Sequence, residues 1–443
     1  MASEWTVRPL EDCMAAIIDY RGKTPQKTSS GIPLITAKVV KAGRIEPPDE
    51  FIAADEYELW MRRGIPEAGD VLITTEAPLG EVAQLGAERV ALAQRLIALR
   101  GKQGVLDNAF LKFLLQSAPV QDQLRARASG TTVLGIKQSE LRKVLLALPS
   151  VGEQRAIAHI LGTLDDKIEL NRRMNDTLEA MARALFKSWF VDFDPVRAKA
   201  EGRNPGLPKA IADCFPDRFV DSAWGEIPEG WEVGTLESVL SELEVGGRPR
   251  GGVSSYTEGV PSIGAESIVG LGRFDYSKTK YVPRSFFDSM KKGHVKDRDV
   301  LLYKDGGRPG EYEPHLTLVG DGFPFSTCAI NEHVYRLRAE PTLGQHYLFF
   351  WLSSDLVMEE MRIKGTGVAI PGLNSTQVQS LTTLVPPGRI TGAFDVIAGR
   401  IVARILSACS ESRTLATFRD ALMPKLISGA LRVKDAEQFV GPA

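Results

Sequence analysis

Cysteine is scarce in this 443-residue chain: Cys13, Cys214, Cys328 and Cys409 are the four, and no CxxC pair occurs. A zinc site built from thiolates is therefore excluded, as is a disulfide framework. The five histidines, His159, His294, His315, His333 and His346, include no pair at metal-ligand spacing on one helix, and no HExxH occurs. No stretch approaches the roughly 18 uncharged apolar residues of a membrane span. The opening Met1-Ala2-Ser3-Glu4-Trp5 has neither a basic region nor an apolar run, so no signal peptide is read and a soluble, intracellular chain is expected. An excess of one charge is missing too. The 54 Lys+Arg and 56 Asp+Glu leave −2, which excludes a histone-like or acidic-tail protein but not a local DNA footprint.

Catalytic constellations are missing as well. Gly22-Lys23-Thr24 looks like the end of a phosphate-binding loop, but Ile17 stands where its first glycine belongs and Pro25 blocks the helix that should follow. There is no GxSxG and no dinucleotide fingerprint. Asn204-Pro205 is followed by Gly206-Leu207, not by proline and an aromatic, so the amino-methyltransferase motif is absent. Asp192 and Asp194 read as part of a helix end stopped by Pro195.

What is present is a duplication. Trp5, Val7, Leu10 and Glu11 recur as Trp231, Val233, Leu236 and Glu237, offset by 226. Pro33-Leu34-Ile35 recurs as Pro261-Ser262-Ile263, Asp70-Val71-Leu72-Ile73 as Asp299-Val300-Leu301-Leu302, and Leu148-Pro149 as Val385-Pro386 at offset 237. The offset only grows, as two homologous halves with a few insertions require. Each half opens with a globular part, residues 1–149 and 229–388, rich in turns and short β-branched runs, with a helix near 108–128 and its counterpart near 343–362.

A long helix follows in each half. Ser150 and Glu153 form a capping box behind Pro149. A 4-3 spacing then runs through Ile157, Leu161, Leu164, Ile168, Asn171, Asn175, Leu178, Ala182, Leu185 and Trp189. Adding 237 gives Phe394, Ala398, Ile401, Ile405, Ala408, Ser412, Leu415, Arg419, Leu422 and Leu426, of which only Arg419 is a poor seam residue. Heptads sustained this long predict a coiled-coil seam, a rod of roughly 55 Å at about 1.5 Å per residue. The helices, 150–194 and 389–443 with the tail, are expected to pair antiparallel, with Asn171 and Asn175 helping to fix register. Residues 195–228, with Pro195, Gly202, Pro205, Gly206, Pro208 and Pro216, read as a linker.

The balanced net charge conceals windows without acids. Residues 20–45 hold Arg21, Lys23, Lys27, Lys38, Lys41 and Arg44; residues 123–139 hold Arg125, Arg127 and Lys137 around Gly130-Thr131-Thr132. In the second half, 245–257 holds Arg248 and Arg250, and 361–394 holds Arg362, Lys364 and Arg389 beside Gly365-Thr366-Gly367. Cations next to Gly, Ser and Thr suit phosphate contacts. Lys304 joins this candidate set, and base readout is assigned to Arg21, Glu76, Arg248 and Arg308.

Over essentially its whole length the chain resembles the DNA-specificity (S) subunits of type I restriction-modification systems. The resemblance is carried by Leu148-Pro149, Glu153-Gln154, Leu164-Asp165, Leu178-Glu179 and Leu185-Phe186-Lys187-Ser188-Trp189-Phe190-Val191-Asp192-Phe193, similar to the family's central helix, and by Ala421-Leu422-Met423-Pro424-Lys425-Leu426-Ile427-Ser428-Gly429, similar to its C-terminal helix. Gly69-Asp70-Val71-Leu72 and Gly130-Thr131-Thr132 match elements of its target-recognition domains. One departure is Ile390-Thr391 where the first half has Glu153-Gln154.

The resemblance implies an α+β fold: two tandem target-recognition domains separated by two long antiparallel helices in pseudo-twofold arrangement. It implies a non-catalytic, cytoplasmic prokaryotic subunit that reads a split double-stranded DNA target, one half per domain. Two modification subunits using S-adenosylmethionine and two restriction subunits using ATP and Mg would dock on it; the chain itself would hold no cofactor.

Overall fold

The computed structural model describes residues 5–20, 24–308, 310–320, 322–366 and 371–433; the side chain of Arg308 is also outside the described set. The chain divides into two compact units, Met1–Lys167 with Leu415–Ala443, and Ile168–Thr414. The long helices are therefore shared between units and do not stand apart as separate segments.

The first unit is built on a four-stranded antiparallel sheet in the order Met14–Asp19, Leu96–Gly101, Val71–Thr75, Leu79–Gln84. Val71-Leu72-Ile73-Thr74-Thr75 is buried along its whole length, as a β-branched run in the interior of a sheet should be. A small sheet places Ile32–Ile35 between Phe51–Ile52, antiparallel, and Ala91–Leu92, parallel. Thr6–Pro9 pairs with Leu145–Leu148 and closes the globular part.

The second unit repeats this strand for strand. Its four-stranded sheet runs Leu240–Val245, Val334–Ala339, Val300–Tyr303, Leu316–Leu318. Val260–Ile263 lies between Lys280–Val282, antiparallel, and Ala329–Ile330, parallel. The closing pair is Glu232–Thr235 with Thr382–Val385. Thr6↔Leu148 and Glu232↔Val385 are the same pairing displaced by 226 and 237, the offsets read from the sequence.

The recurring aspartate that opens the central strand proves structural. Asp70 is 1% exposed; its Oδ2 accepts from Glu67 N–H (2.8 Å), and Arg100 reaches both oxygens at 2.8 Å. Asp299 likewise accepts from Lys296 N–H (2.7 Å) and from Arg338 Nε (2.9 Å). In the second unit the fully buried Arg336 adds to this cluster, touching Asp299, Glu244 and Glu242. Its counterpart in the first unit is the buried Ala98.

The helix expected near 108–128 is two helices, Asn108–Gln116 and Ala118–Arg127. Ser117 is extended (ψ 145°), and Pro119 occupies the first turn of the second helix, where its missing N–H has no partner to lose. The counterpart breaks in the same place, into Gln345–Leu352 and Asp355–Gly365.

Both long helices run for 40 residues, Val151–Phe190 and Gly388–Ile427. Ser150 Oγ accepts from Glu153 N–H at 3.3 Å. Gln154, fully buried, accepts from Asp107 N–H (2.9 Å) and donates to the carbonyls of Val105 and Pro149 (both 3.0 Å). At the equivalent position Thr391 donates to the carbonyl of Thr342 (2.9 Å), the counterpart of Val105. The departure at Ile390-Thr391 thus keeps one anchoring bond with a different side chain.

In the first unit Ile157, Leu161 and Leu164 share a core with Leu422 and Leu426, and Leu415 packs on its edge. Arg419, the poor seam residue, donates to Asp165 Oδ1 (2.7 Å), whose other oxygen holds Lys112 (2.6 Å). In the second unit Phe186, Trp189 and Phe190 at the end of one helix pack around Phe394 at the start of the other, an antiparallel pairing. Ile405 is buried there, while Leu178, Leu185 and Ile401 pack at the margin of that core; Ile168 is half-buried. Asn171 Nδ2 donates to Glu411 Oε2 (2.9 Å) and Ser412 Oγ (3.2 Å), and Asn175 Nδ2 to Cys409 Sγ (3.1 Å). Between residues 165 and 181 only Asn171 is fully buried, and its polar contacts lie beside the buried Ile405 and Ala408 of the other helix.

Two segments differ from the sequence expectation. The first long helix ends at Phe190, not at Pro195, because Phe193 turns the chain in a left-handed conformation (φ 55°) and Pro195 begins the next helix, Asp194–Ala200. Residues 195–228 are not a free linker: they form that helix and the hairpin Phe219–Ser222/Gly225–Pro228, and they bury Val196, Phe215 and Ile227 in the core of the second unit. Its prolines and glycines shape turns in a packed segment.

Asp299→Ala leaves Lys296 N–H and Arg338 without their partner and Arg336 with only Glu242 and Glu244, and should cost about 1–3 kcal/mol, read as a lower melting temperature of the full chain. Gln154→Ala leaves Asp107 N–H and two carbonyls without partners. A loss of about 1–3 kcal/mol is expected, against about 1 kcal/mol for Thr391→Val, which gives up a single neutral bond; denaturant titration of both variants tests the ranking.

Candidate nucleic-acid interface

The central strands end in the same way in both units. In the first, Thr75 N–H donates to the Arg95 carbonyl (2.8 Å) and Ile136 N–H to the Thr75 carbonyl (2.9 Å), so the loop 129–135 lies against the strand end. Ser129 and Gly135 exchange both backbone hydrogen bonds at 2.9 Å and close that loop, leaving Thr131, Thr132, Val133 and Leu134 exposed. In the second, Lys304 N–H donates to the His333 carbonyl (2.9 Å) and Leu373 N–H to the Lys304 carbonyl (2.8 Å). A concavity of about 320 Å³ opens beside the first strand end, lined by Thr75, Glu76, Gln94, Arg95, Ser129 and Lys137 among others. Beside His333 the second unit has a smaller one of about 50 Å³, bordered by Arg248, Lys280, Asn331 and Glu332.

A carboxylate meets a basic side chain at each of these ends. Arg95 Nε lies 2.7 Å from Glu76 Oε1, and His333 Nδ1 lies 2.6 Å from Asp305 Oδ1. Glu76 and Asp305 also make equivalent backbone bridges, to Gly135 and Gly372. Sequence reasoning named Glu76 but missed Arg95 and His333. The signal was available: Arg95-Leu96-Ile97 and His333-Val334-Tyr335 continue the duplication at offset 238.

The windows without acids in sequence are not without acids in space. Lys27 binds Glu50 (2.8 Å), Lys38 binds Glu50 (3.2 Å) and Asp49 (3.6 Å), and Lys41 binds Glu46 (3.0 Å). The Lys27 ammonium holds the Glu50 carboxyl below its ordinary range, against partial burial that pushes it up. Arg125 pairs with Asp122 (2.7 Å) and Arg127 with Glu140 (3.7 Å). In the second unit Arg248 meets Glu332 (3.3 Å), Lys304 meets Asp305 (3.8 Å), Arg362 meets Glu313 (3.0 Å) and Lys364 meets Glu360 (2.8 Å). Thr366 Oγ1 donates back to the Arg362 carbonyl (2.7 Å).

The partners are mostly acids just beyond the window edges. Lys137 and Arg250, both exposed, pair with no acid among the described residues. Arg21 and Lys23 lie outside the described residues, as does the side chain of Arg308.

Among the described residues no group of three or more His, Cys, Asp or Glu is arranged to hold a metal ion. No described helix is long and apolar enough to cross a membrane. A larger hollow in the second unit, about 870 Å³, is lined by Arg298, Gly344, His346, Asp395, Gly399 and Arg400 among others and shares no residue with the candidate positions.

Comparison with known proteins adds four findings. Residues 2–180 match the family model described as the type I restriction modification DNA specificity domain. The chain is 27% identical over 374 residues to the type I restriction enzyme MjaIX specificity subunit of Methanocaldococcus jannaschii, covering 83% of this chain and 78% of that protein. It is 24% identical over 402 residues to the HindI specificity subunit of Haemophilus influenzae, covering 78% and 82%. The fold is that of the type I restriction-modification S subunit from M. genitalium (TM-score 0.54, 14% identity, 95% and 96% of the two chains). Residues 2–180 thus match the type I restriction modification DNA specificity domain, and over most of its length the chain is similar to type I specificity subunits.

Proposed function

We propose that this chain is the sequence-reading subunit of a type I restriction-modification complex, binding a bipartite double-stranded DNA target with one half-site per globular part. The observation that carries the reading is the duplication itself. The same three sheets occur twice, and Glu76 in one copy and Asp305 in the other make the same bridge from the end of the central strand to a later loop. Two equivalent readers in one chain suit a target in two parts. The chain supplies recognition and no chemistry. Two modification subunits with S-adenosylmethionine and restriction subunits with ATP and Mg would act on the DNA it selects, docked along the long helices.

Lys137 and Arg250, as cations without an ion-pair partner among the described residues, are the best placed for phosphate. Each released counterion contributes about one unit to the salt dependence of binding. Lys137→Ala or Arg250→Ala should therefore weaken binding to all duplexes alike and lower the slope of log K against log salt by about 1. Lys41→Ala, whose charge is already met by Glu46, should do much less. Salt titrations of DNA binding by the full chain decide this.

The two-reader model is tested by exchanging residues 1–149 for the equivalent part of a relative and mapping methylated adenines in cells that carry the complete system. One half of the methylated motif should change and the other persist; a change in both halves, or in neither, would rule the model out.

A further inference from the structure

The central strand and its neighbour pair a carboxylate with a basic side chain at both ends, and the two ends differ in kind. In the first unit the Val71 end holds the buried Asp70, bound in bidentate fashion by the partly exposed Arg100. The Thr75 end holds Glu76 and Arg95, with side chains 42% and 48% exposed. The second unit repeats this with the buried Asp299 against the partly exposed Arg338 at one end, and Asp305 and His333 at the other, the imidazole 45% exposed.

Stability accounts for the buried pairs but not for the exposed ones. An exposed ion pair contributes little. Arg95 also sits at φ 73°, a left-handed conformation that favours glycine or asparagine and costs any larger side chain. Both positions are nonetheless held in place by the same backbone bond, from Thr75 N–H to the Arg95 carbonyl and from Lys304 N–H to the His333 carbonyl.

We infer that Arg95 with Glu76, and His333 with Asp305, are the base-contacting heads of the two readers, each specifying one base pair of its own half-site, and that Arg95 specifies guanine. This rests on the DNA-recognition reading above and assigns its determinants. Glu76 engages the guanidinium through Nε, which leaves the terminal amino groups for the two-point contact with guanine O6 and N7 in the major groove. Glu76 is thereby a positioning residue. Asp305 plays the same part for His333, fixing the ring through Nδ1, while Nε2 faces Glu332 Oε1 at 3.6 Å and would exchange that contact for a base edge. Because the two heads differ chemically, the two half-sites should differ at the positions they read.

The test is selection of preferred sequences by the full chain, alone and with modification subunits, from a double-stranded DNA pool with a randomised core. Arg95→Ala should relax one base pair of one half-site by roughly tenfold to a hundredfold and leave the other half-site unchanged. His333→Ala should do the converse. Arg95→Lys separates fork from charge: it should relax the same position while keeping the salt dependence, because an ammonium cannot make the two-point contact.

Arg95→Gly relieves the positive φ and should lose the preference with no fall in melting temperature, so a folding defect cannot imitate the result. Glu76→Gln should relax that same position, by less. Unchanged preference in Arg95→Lys, or uniform weakening across all sequences in Arg95→Ala, would overturn the inference while leaving DNA recognition standing. If the unsubstituted chain selects no sequence in either setting, the DNA-recognition reading falls, and this inference with it.

Discussion

Each globular part depends on a carboxylate taken out of water at the mouth of its central strand. Asp70 and Asp299 close the turn before the strand by accepting a backbone N–H three residues back, and they bind an arginine on the neighbouring strand. One side chain thereby fixes the turn, the strand entry and the register of the next strand. A buried charge of this kind is tolerable only when its partners are complete. The second unit raises the stakes by placing Arg336 where the first has Ala98, which obliges Glu242, Glu244 and Asp299 to converge on it. With register fixed at one end of the strand pair, the residues at the other end are held at a definite separation.

The long helices show the same economy. Their first turns are fastened to the globular parts through Gln154 in one case and Thr391 in the other, two side chains of different reach that bind the equivalent carbonyl. The apolar stripe is broad at the helix ends, where aromatic and aliphatic side chains join a globular core. In mid-helix asparagine contacts stand beside the buried Ile405 and Ala408. A helix pair joined by hydrogen bonds there gains specificity of register more than stability.

The duplication, the heptad frame and the capping residues were legible in the sequence because each is a local or periodic pattern. Ile157, Leu161, Leu164, Ala182 and Trp189 are buried where the 4-3 spacing places them. The linear reading of residues 195–228 failed because proline and glycine mark turns without saying whether the turns are packed. The windows without acids misled for a related reason: Glu46, Glu50, Asp122 and Glu140 are beyond the window edges in sequence and within ion-pair distance in space.

By itself, then, the sequence determined the repeated topology and the paired helices, since hydrophobic periodicity and a constant offset survive without knowledge of the fold. Only the tertiary structure decided which charges are spent on one another and which are left for a ligand. Arg95 and Glu76 are 19 residues apart in the chain and 2.7 Å apart at the strand end, and Coulomb attraction depends on the second separation alone.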